Sequence, residues 1–145
     1  MPSEEKKVQL SIVVPFYNEE PNIDYLFERL ISVLKPLEMT YEIICINDGS
    51  KDNTLKLLVE YHQRNSLIKV VNFSRNFGKE IAITAGIDYT VGDAVIPIDA
   101  DLQDPPELIV EMIAKWREGY DVVYATRRSR QGESWIKKFT AQRFY

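Results

Sequence analysis

Residues 8–36, VQLSIVVPFYNEEPNIDYLFERLISVLKP, decide the fold. Val8 to Phe16 is an apolar run rich in β-branched residues, the composition of a strand. Asn18 to Leu34 then carries Ile23, Leu26, Phe27, Leu30, Ile31 and Leu34 at helical spacing, and Pro36 ends that pattern. The change of period from strand to helix recurs downstream. Tyr41 to Ile46 reads as a second strand, and Asp52 or Asn53 can cap a helix with Leu55, Leu58, Val59 and His62 on one face. Ile68 to Phe73 reads as a third strand, and Gly78 to Tyr89 as a helix with Ile81, Ala82, Ala85 and Gly86 inward. Ala94 to Ile98, Glu107 to Glu118 and Asp121 to Thr126 supply a fourth strand, a helix and a fifth strand. Strands that are apolar throughout and joined by helical crossovers make an α/β fold, a mostly parallel sheet covered on both faces by right-handed connections. Ligands of such a sheet belong at the C-terminal ends of its strands.

Composition narrows the class. With 145 residues, 45% of them hydrophobic, the chain can bury one core without disulfides. The single cysteine, Cys45, lies in the run Ile43-Ile44-Cys45-Ile46 and reads as a small buried hydrophobe in a reducing compartment. No run approaches eighteen apolar residues, and Met-Pro-Ser-Glu-Glu-Lys-Lys has no signal-like core, so residues 1–7 are expected as a disordered tail and the segment as soluble and cytosolic. The net charge of −4 is uneven. Residues 127–145 set six cations against Glu133 alone, a local +5 that leaves −9 on the rest. An acidic body with a basic tail suits a local anion or an anionic membrane surface and argues against general nucleic-acid binding. The oligomeric state stays open, a homo-oligomer included.

Three polar clusters fall at strand ends. Asp99-Ala100-Asp101 leaves the fourth strand for Leu102-Gln103-Asp104-Pro105-Pro106. Two carboxylates spaced this way can converge on a hard cation, Mg²⁺ or Mn²⁺, whose open positions take phosphate oxygens. A solvated turn before Pro-Pro explains the same residues about as well. Asn47-Asp48-Gly49-Ser50 follows the second strand. A tight turn accounts for Gly49, while Asp48 could accept from a nucleobase N–H. Pro15-Phe16-Tyr17-Asn18-Glu19 adds an aromatic face and a carboxylate to the same rim, although a helix start would read similarly. His62 has no acid or thiol pattern around it and reads as structural.

Val14-Pro15-Phe16-Tyr17-Asn18-Glu19, Asn47-Asp48-Gly49-Ser50 and Asp99 to Glu107, in that order and spacing, resemble the signatures of family 2 glycosyltransferases with a GT-A fold. With Asn76-Phe77-Gly78-Lys79-Glu80 they resemble its polyprenyl-phosphate branch, the undecaprenyl-phosphate (bactoprenol) glucosyltransferases and dolichol-phosphate mannosyltransferases. The resemblance spans about residues 8–140. It implies a Rossmann-like three-layer sandwich over residues 8–126, a nucleotide-sugar donor and a polyprenyl-phosphate acceptor. Pro15, Tyr17, Glu19 and Asp48 would line the nucleoside pocket. Asp99 and Asp101, and with them Gln103, would hold Mg²⁺ or Mn²⁺, the two aspartates forming the catalytic centre. Ser74, Arg75, Asn76 and Lys79 would lie near the diphosphate, where a capped, solvated helix start reads nearly as well for Arg75 and Lys79 singly.

The segment 127–145 resembles the family's acceptor side. Arg127 and Arg130 would face the lipid phosphate, and Trp135 to Phe139 would form an interfacial helix on the cytoplasmic face of the membrane. A charge run is more often only a solvated face. The sequence stops at Phe144-Tyr145 without a stop signal, and nothing after Asp104 matches the family's acceptor-side acid, so a truncated piece is expected. The resemblance also implies C-terminal transmembrane helices outside these residues. The rival reading is a truncated module of the same fold that binds nucleotide or membrane without turnover. Dinucleotide oxidoreductases and Walker-type phosphohydrolases are set aside, because neither Gly-x-Gly-x-x-Gly nor Gly-x-x-x-x-Gly-Lys-Ser/Thr occurs. A receiver-like signalling domain would explain acids at strand ends but predicts no nucleotide affinity.

Overall fold

The two most continuous apolar runs become β1 (Leu10–Phe16) and β2 (Tyr41–Asn47), buried along nearly their whole length. Such strands need cover on both faces. In this computed structural model, which describes residues 7–127 and 137–142, β3 (Ile68–Asn72) and β4 (Ala94–Pro97) flank them in the order β3-β2-β1-β4. Every pair is parallel, in a register that sets Ile12 beside both Ile43 and Ile96. Pro97 has no N–H to give a ladder, and β4 pairs with β1 alone among the described residues, so the proline sits where the sheet tolerates it.

Helices α1 (Ile23–Leu34), α2 (Thr54–Arg64) and α3 (Lys79–Asp88) make the crossovers. The helix expected from Asn18 begins at Ile23. Residues Glu20–Asn22 form a 3-10 turn around Pro21, and the backbone just before it bonds to the neighbouring loop instead of continuing the helix. A second 3-10 turn, Lys35–Leu37, contains Pro36.

One face of the sheet presents Val13, Ile44 and Ile46 to Ala82 of α3. A Cβ on Gly86 would stand 2.5 Å from Ile46 Cδ1 and 2.6 Å from Val13 Cγ1, so α3 approaches through its small residues. Ile81, expected inward, is 53% exposed. It lies about 100° around the helix from Ala82, and the apolar residues of α3 spread over most of its circumference, so periodicity could not select its buried face. The opposite face carries Phe16, whose ring is 6.4 Å from that of Phe27, itself 4.4 Å from Tyr61 on α2. Fully buried side chains such as Phe16, Phe27, Leu30 and Leu58 each stabilise the fold by about 1.5–3 kcal/mol. Burial pushes the Cys45 thiol up, so it stays protonated and inert. His62 Nδ1 donates to the Ile68 carbonyl at 2.6 Å, a structural tie between α2 and β3. Lys7 pairs with Asp93 at 2.9 Å and accepts the Thr40 hydroxyl at its carbonyl.

The chain divides into two compact units at Pro106–Glu107, so the last helix and the fifth strand belong with the second unit. That unit contains α4 (Leu108–Arg117), β5 (Val122–Arg127) and β6 (Lys137–Gln142). The fifth strand is present, but it pairs antiparallel with β6 in its own two-stranded sheet, Arg127 opposite Lys137. A parallel partner needs a long crossover, whereas nine residues suffice for an antiparallel return. Lys137 to Phe139, expected as part of an interfacial helix, are therefore strand; Trp135 and Ile136 lie outside the described residues. No helix among the described residues is long and apolar enough to cross a membrane.

Candidate functional site

β1 leads through α1 to β2 on one side, while β3 returns through α3 to β4 on the other, so the strand order reverses between β1 and β4. Connections that diverge from neighbouring strands leave a crevice at the strands' C-terminal ends. A cavity of about 410 Å³ opens there, within the first unit. Pro15, Phe16, Tyr17 and Glu19 line it from the end of β1 and Asp48 from the end of β2. Asn76, Gly78 and Lys79 come from the connection into α3, and Asp99, Ala100, Asp101 and Gln103 from the segment after β4.

The loops after β1 and β2 are stitched together. Asn18 N–H donates to Ser50 Oγ at 2.9 Å, Glu19 N–H to Thr54 Oγ1 at 3.0 Å, and Lys51 N–H back to Asn18 Oδ1 at 2.7 Å. Asn18 adopts a left-handed φ of 52° to do so, a conformation that asparagine tolerates better than most residues. Asp52 accepts from the Thr54 hydroxyl and N–H and from Glu20 N–H. Burial alone would raise its carboxyl; these bonds outweigh that and hold it below its usual value. Tyr17 and Glu19 thus sit on a braced segment, with Glu19 Oε2 accepting from Asn22 Nδ2 at 2.7 Å.

Asp48 is 2% exposed, and its carboxylate clasps the start of α3. Oδ1 accepts Phe77 N–H at 2.7 Å; Oδ2 accepts Gly78 N–H at 3.1 Å and Asn76 Nδ2 at 3.3 Å. Asn76 Nδ2 also donates to the Asp48 carbonyl. Gly49, at φ 71°, permits this contact, since a Cβ there would fall 2.3 Å from Asn76 N and 2.4 Å from Arg75 C. The glycine answers a close approach of two backbones as well as a turn.

After β4, Ala100 is buried and Leu102 takes a left-handed φ of 51°, which costs about 1–2 kcal/mol for a branched residue and turns the chain sharply between Asp101 and Gln103. Gln103 donates its backbone N–H to Asp101 Oδ1 at 3.3 Å and Nε2 to Oδ2 at 2.9 Å, fixing that carboxylate. Lys79 Nζ forms an ion pair with Asp99 Oδ1. The lining therefore sets four carboxylates against one ammonium, a charge that repels anions unless a cation joins them. Asp99, Asp101 and the Gln103 amide are hard oxygen donors, and Mg²⁺ or Mn²⁺ use one or two carboxylates together with phosphate oxygens. Among the described residues no three acids, histidines or cysteines are grouped to hold an ion alone, so a metal here would complete its shell from the substrate. The residues present fit such an ion.

Pro15, Tyr17, Glu19, Asp48, Asn76, Lys79, Asp99, Asp101 and Gln103 thus converge on one cavity. Ser74 and Arg75 do not line it; both are exposed, and the Arg75 guanidinium stacks 4.4 Å over the Phe77 ring. Arg127 ends β5 in the second unit, and Arg130 lies outside the described residues. Sequence reasoning missed the clasp of Asp48 on the Phe77 and Gly78 amides. Its signal was a buried acid facing a glycine-containing helix start about thirty residues on.

A parallel sheet wound on both faces, with an acid-lined crevice at its switch point, is an α/β architecture of GT-A-like type. Residues 11–144 match Glycosyl transferase family 2, and the chain belongs to that family. It is 70% identical over 138 residues to an uncharacterised glycosyltransferase of Synechocystis, covering 95% of this chain and 43% of the relative. It is 46% identical over 140 residues to the bactoprenol glucosyl transferase of Shigella phage SfX, covering 95% and 45%. The chain thus spans less than half the length of these relatives. Among solved structures, S. aureus TarS in complex with UDP-GlcNAc superposes with a TM-score of 0.66 at 27% identity, over 88% of this chain and 37% of that one. GalNAc-T7 with UDP, GalNAc and Mn²⁺ superposes with a TM-score of 0.56 at 28% identity, over 67% and 19%.

Proposed function

We propose that this chain forms the donor half of an inverting glycosyltransferase that moves a hexose from a nucleotide-sugar to a polyprenyl phosphate at the cytoplasmic face of a membrane. UDP-glucose is the favoured donor, with GDP-mannose the alternative. The observation that carries the reading is the crevice at the switch point, where Asp99 and Asp101 meet Lys79 and the first turn of α3. The named function of the phage relative supports the lipid acceptor, and the UDP-GlcNAc and Mn²⁺ complexes of the structural neighbours support a nucleotide-sugar and a divalent ion.

In this reading Pro15, Tyr17, Glu19 and Asp48 receive the nucleoside. Tyr17 is 44% exposed and can offer its ring to a base. Asp99 and Asp101, with Gln103 steadying Asp101, would hold Mg²⁺ or Mn²⁺, which when bound neutralises charge on the diphosphate leaving group. The free N–H groups that open α3 and the Lys79 ammonium favour the same anion. A polyprenyl phosphate is already anionic, so the protein has to orient it and exclude water rather than supply a strong base. Arg127 and Arg130 would meet that phosphate, and the basic stretch 127–145 an anionic lipid surface. The test is transfer of labelled sugar to undecaprenyl phosphate in detergent by the intact protein, with UDP-glucose and GDP-mannose compared. Labelled lipid from UDP-glucose is expected. Nucleotide binding without labelled lipid from either donor would favour a non-catalytic module of the same fold.

A further inference from the structure

We propose that Lys79 is a built-in stand-in cation for Asp99, which keeps divalent metal out of the site until a diphosphate arrives to take the ammonium over. The inference rests on the reading of Asp99 and Asp101 as metal-holding residues and goes beyond it in assigning Lys79 a part in the order of binding.

Two observations carry it. Lys79 is the first residue of α3, where the helix dipole and the free N–H groups already concentrate positive charge, so an ammonium there is opposed by its own helix. It is nevertheless paired with Asp99, in a cavity whose other charged lining groups are all carboxylates. The Lys79 backbone is anchored one residue upstream by the Asp48 clasp on Gly78 N–H, while its side chain is 60% exposed and free to swing on four methylenes. Asp99, 32% exposed, can be reached by an ion from solvent.

Metal and ammonium therefore compete for one carboxylate. An ion arriving alone must displace Lys79 and leave two like charges close together. A nucleoside diphosphate removes that conflict, because its oxygens accept from Lys79 while the ion takes Asp99. Metal and nucleotide then bind with positive and reciprocal coupling. Metal alone should bind weakly.

The experiment is a Mn²⁺ titration followed by the electron paramagnetic resonance signal of free ion, with and without UDP. It uses the full chain and its K79M, K79R and D99N variants. Lys79 is exposed, so K79M is expected to fold, and K79R restores a cation at the same place. K79M should bind Mn²⁺ alone roughly three- to tenfold more tightly than the parent, the gain expected from removing one partly exposed competing charge. K79R should stay near the parent value, and the factor by which UDP tightens Mn²⁺ binding should shrink in K79M. Unchanged or weaker binding of Mn²⁺ alone in K79M, with D99N still abolishing Mn²⁺ binding in the presence of UDP, overturns the stand-in role and leaves the metal site in place. Full Mn²⁺ binding with UDP in D99N overturns both.

Discussion

Replacing Asp48 with asparagine separates two roles that one carboxylate could play, acceptor for a base or clasp for the α3 start. The carboxylate accepts three bonds, from Phe77 N–H, Gly78 N–H and Asn76 Nδ2. In Asp48→Asn the amide oxygen can keep Phe77 at 2.7 Å, but the amide nitrogen then faces two donors. Bonds to a charged acceptor contribute about 1.5–3 kcal/mol against about 0.5–1.5 for neutral ones, and a stranded donor costs about 1–3. Asn76 and Phe77 are exposed enough for water to recover part of that loss, which puts the expected destabilisation near 2–4 kcal/mol. Because the contacts are confined to residues 76–78, local opening should dominate. Amide exchange at Phe77 and Gly78, measured without nucleotide, should accelerate roughly 30- to 800-fold. The urea midpoint should fall with little change in slope. Unchanged protection at both amides alongside lost UDP binding would refute the clasp and leave Asp48 as a reader of the base only.

Further outcomes follow from other parts of the molecule. Gly86→Ala should lower stability by about 1–2 kcal/mol in a thermal melt, because crowding against Ile46 and Val13 outweighs the gain in helix propensity. Tyr61 is pushed up to about 12, first by burial and then by its hydrogen bond and charge interaction with Asp24. Its folded value lies above the ordinary tyrosine value of 10.0, so its contribution is complete below pH 10 and is lost as pH rises toward 12. Denaturation between pH 9 and 12.5 should therefore show a shallower alkaline loss for Tyr61→Phe than for the parent. Cys45 should resist a thiol reagent in the native chain and react fully in denaturant; fast native labelling would contradict its burial.

The fold was readable where one strong signal acted alone. β1 and β2 are continuous apolar runs, and a run of that kind is stable only at the centre of a covered sheet. α1 declared its buried side through Leu26, Phe27 and Leu30, whereas the apolar residues of α3 spread over most of its circumference and its contact side was set by the small Ala82 and Gly86. The antiparallel pairing of β5 was hidden because its partner, Lys137 to Gln142, opens with two lysines and carries little strand signal. At the site, the residues that end strands were legible, since topology brings strand ends to one rim. The bonds among them were not. Asp48 meets Phe77 and Gly78 across about thirty residues, and Lys79 meets Asp99 across twenty, distances at which sequence carries no pairing rule. The turn reading of Gly49 accounted for its φ, but its approach to the Arg75–Asn76 peptide needed the third dimension.

The central claim, a donor site that depends on a divalent ion at Asp99 and Asp101, is tested most directly by calorimetric titration of UDP into the chain with Mn²⁺ and again with EDTA. Binding with Mn²⁺ that disappears with EDTA, and in Asp99→Asn and Asp101→Asn without loss of fold, is the predicted result. UDP binding of equal strength with and without the ion, or unaltered in both variants, would contradict it.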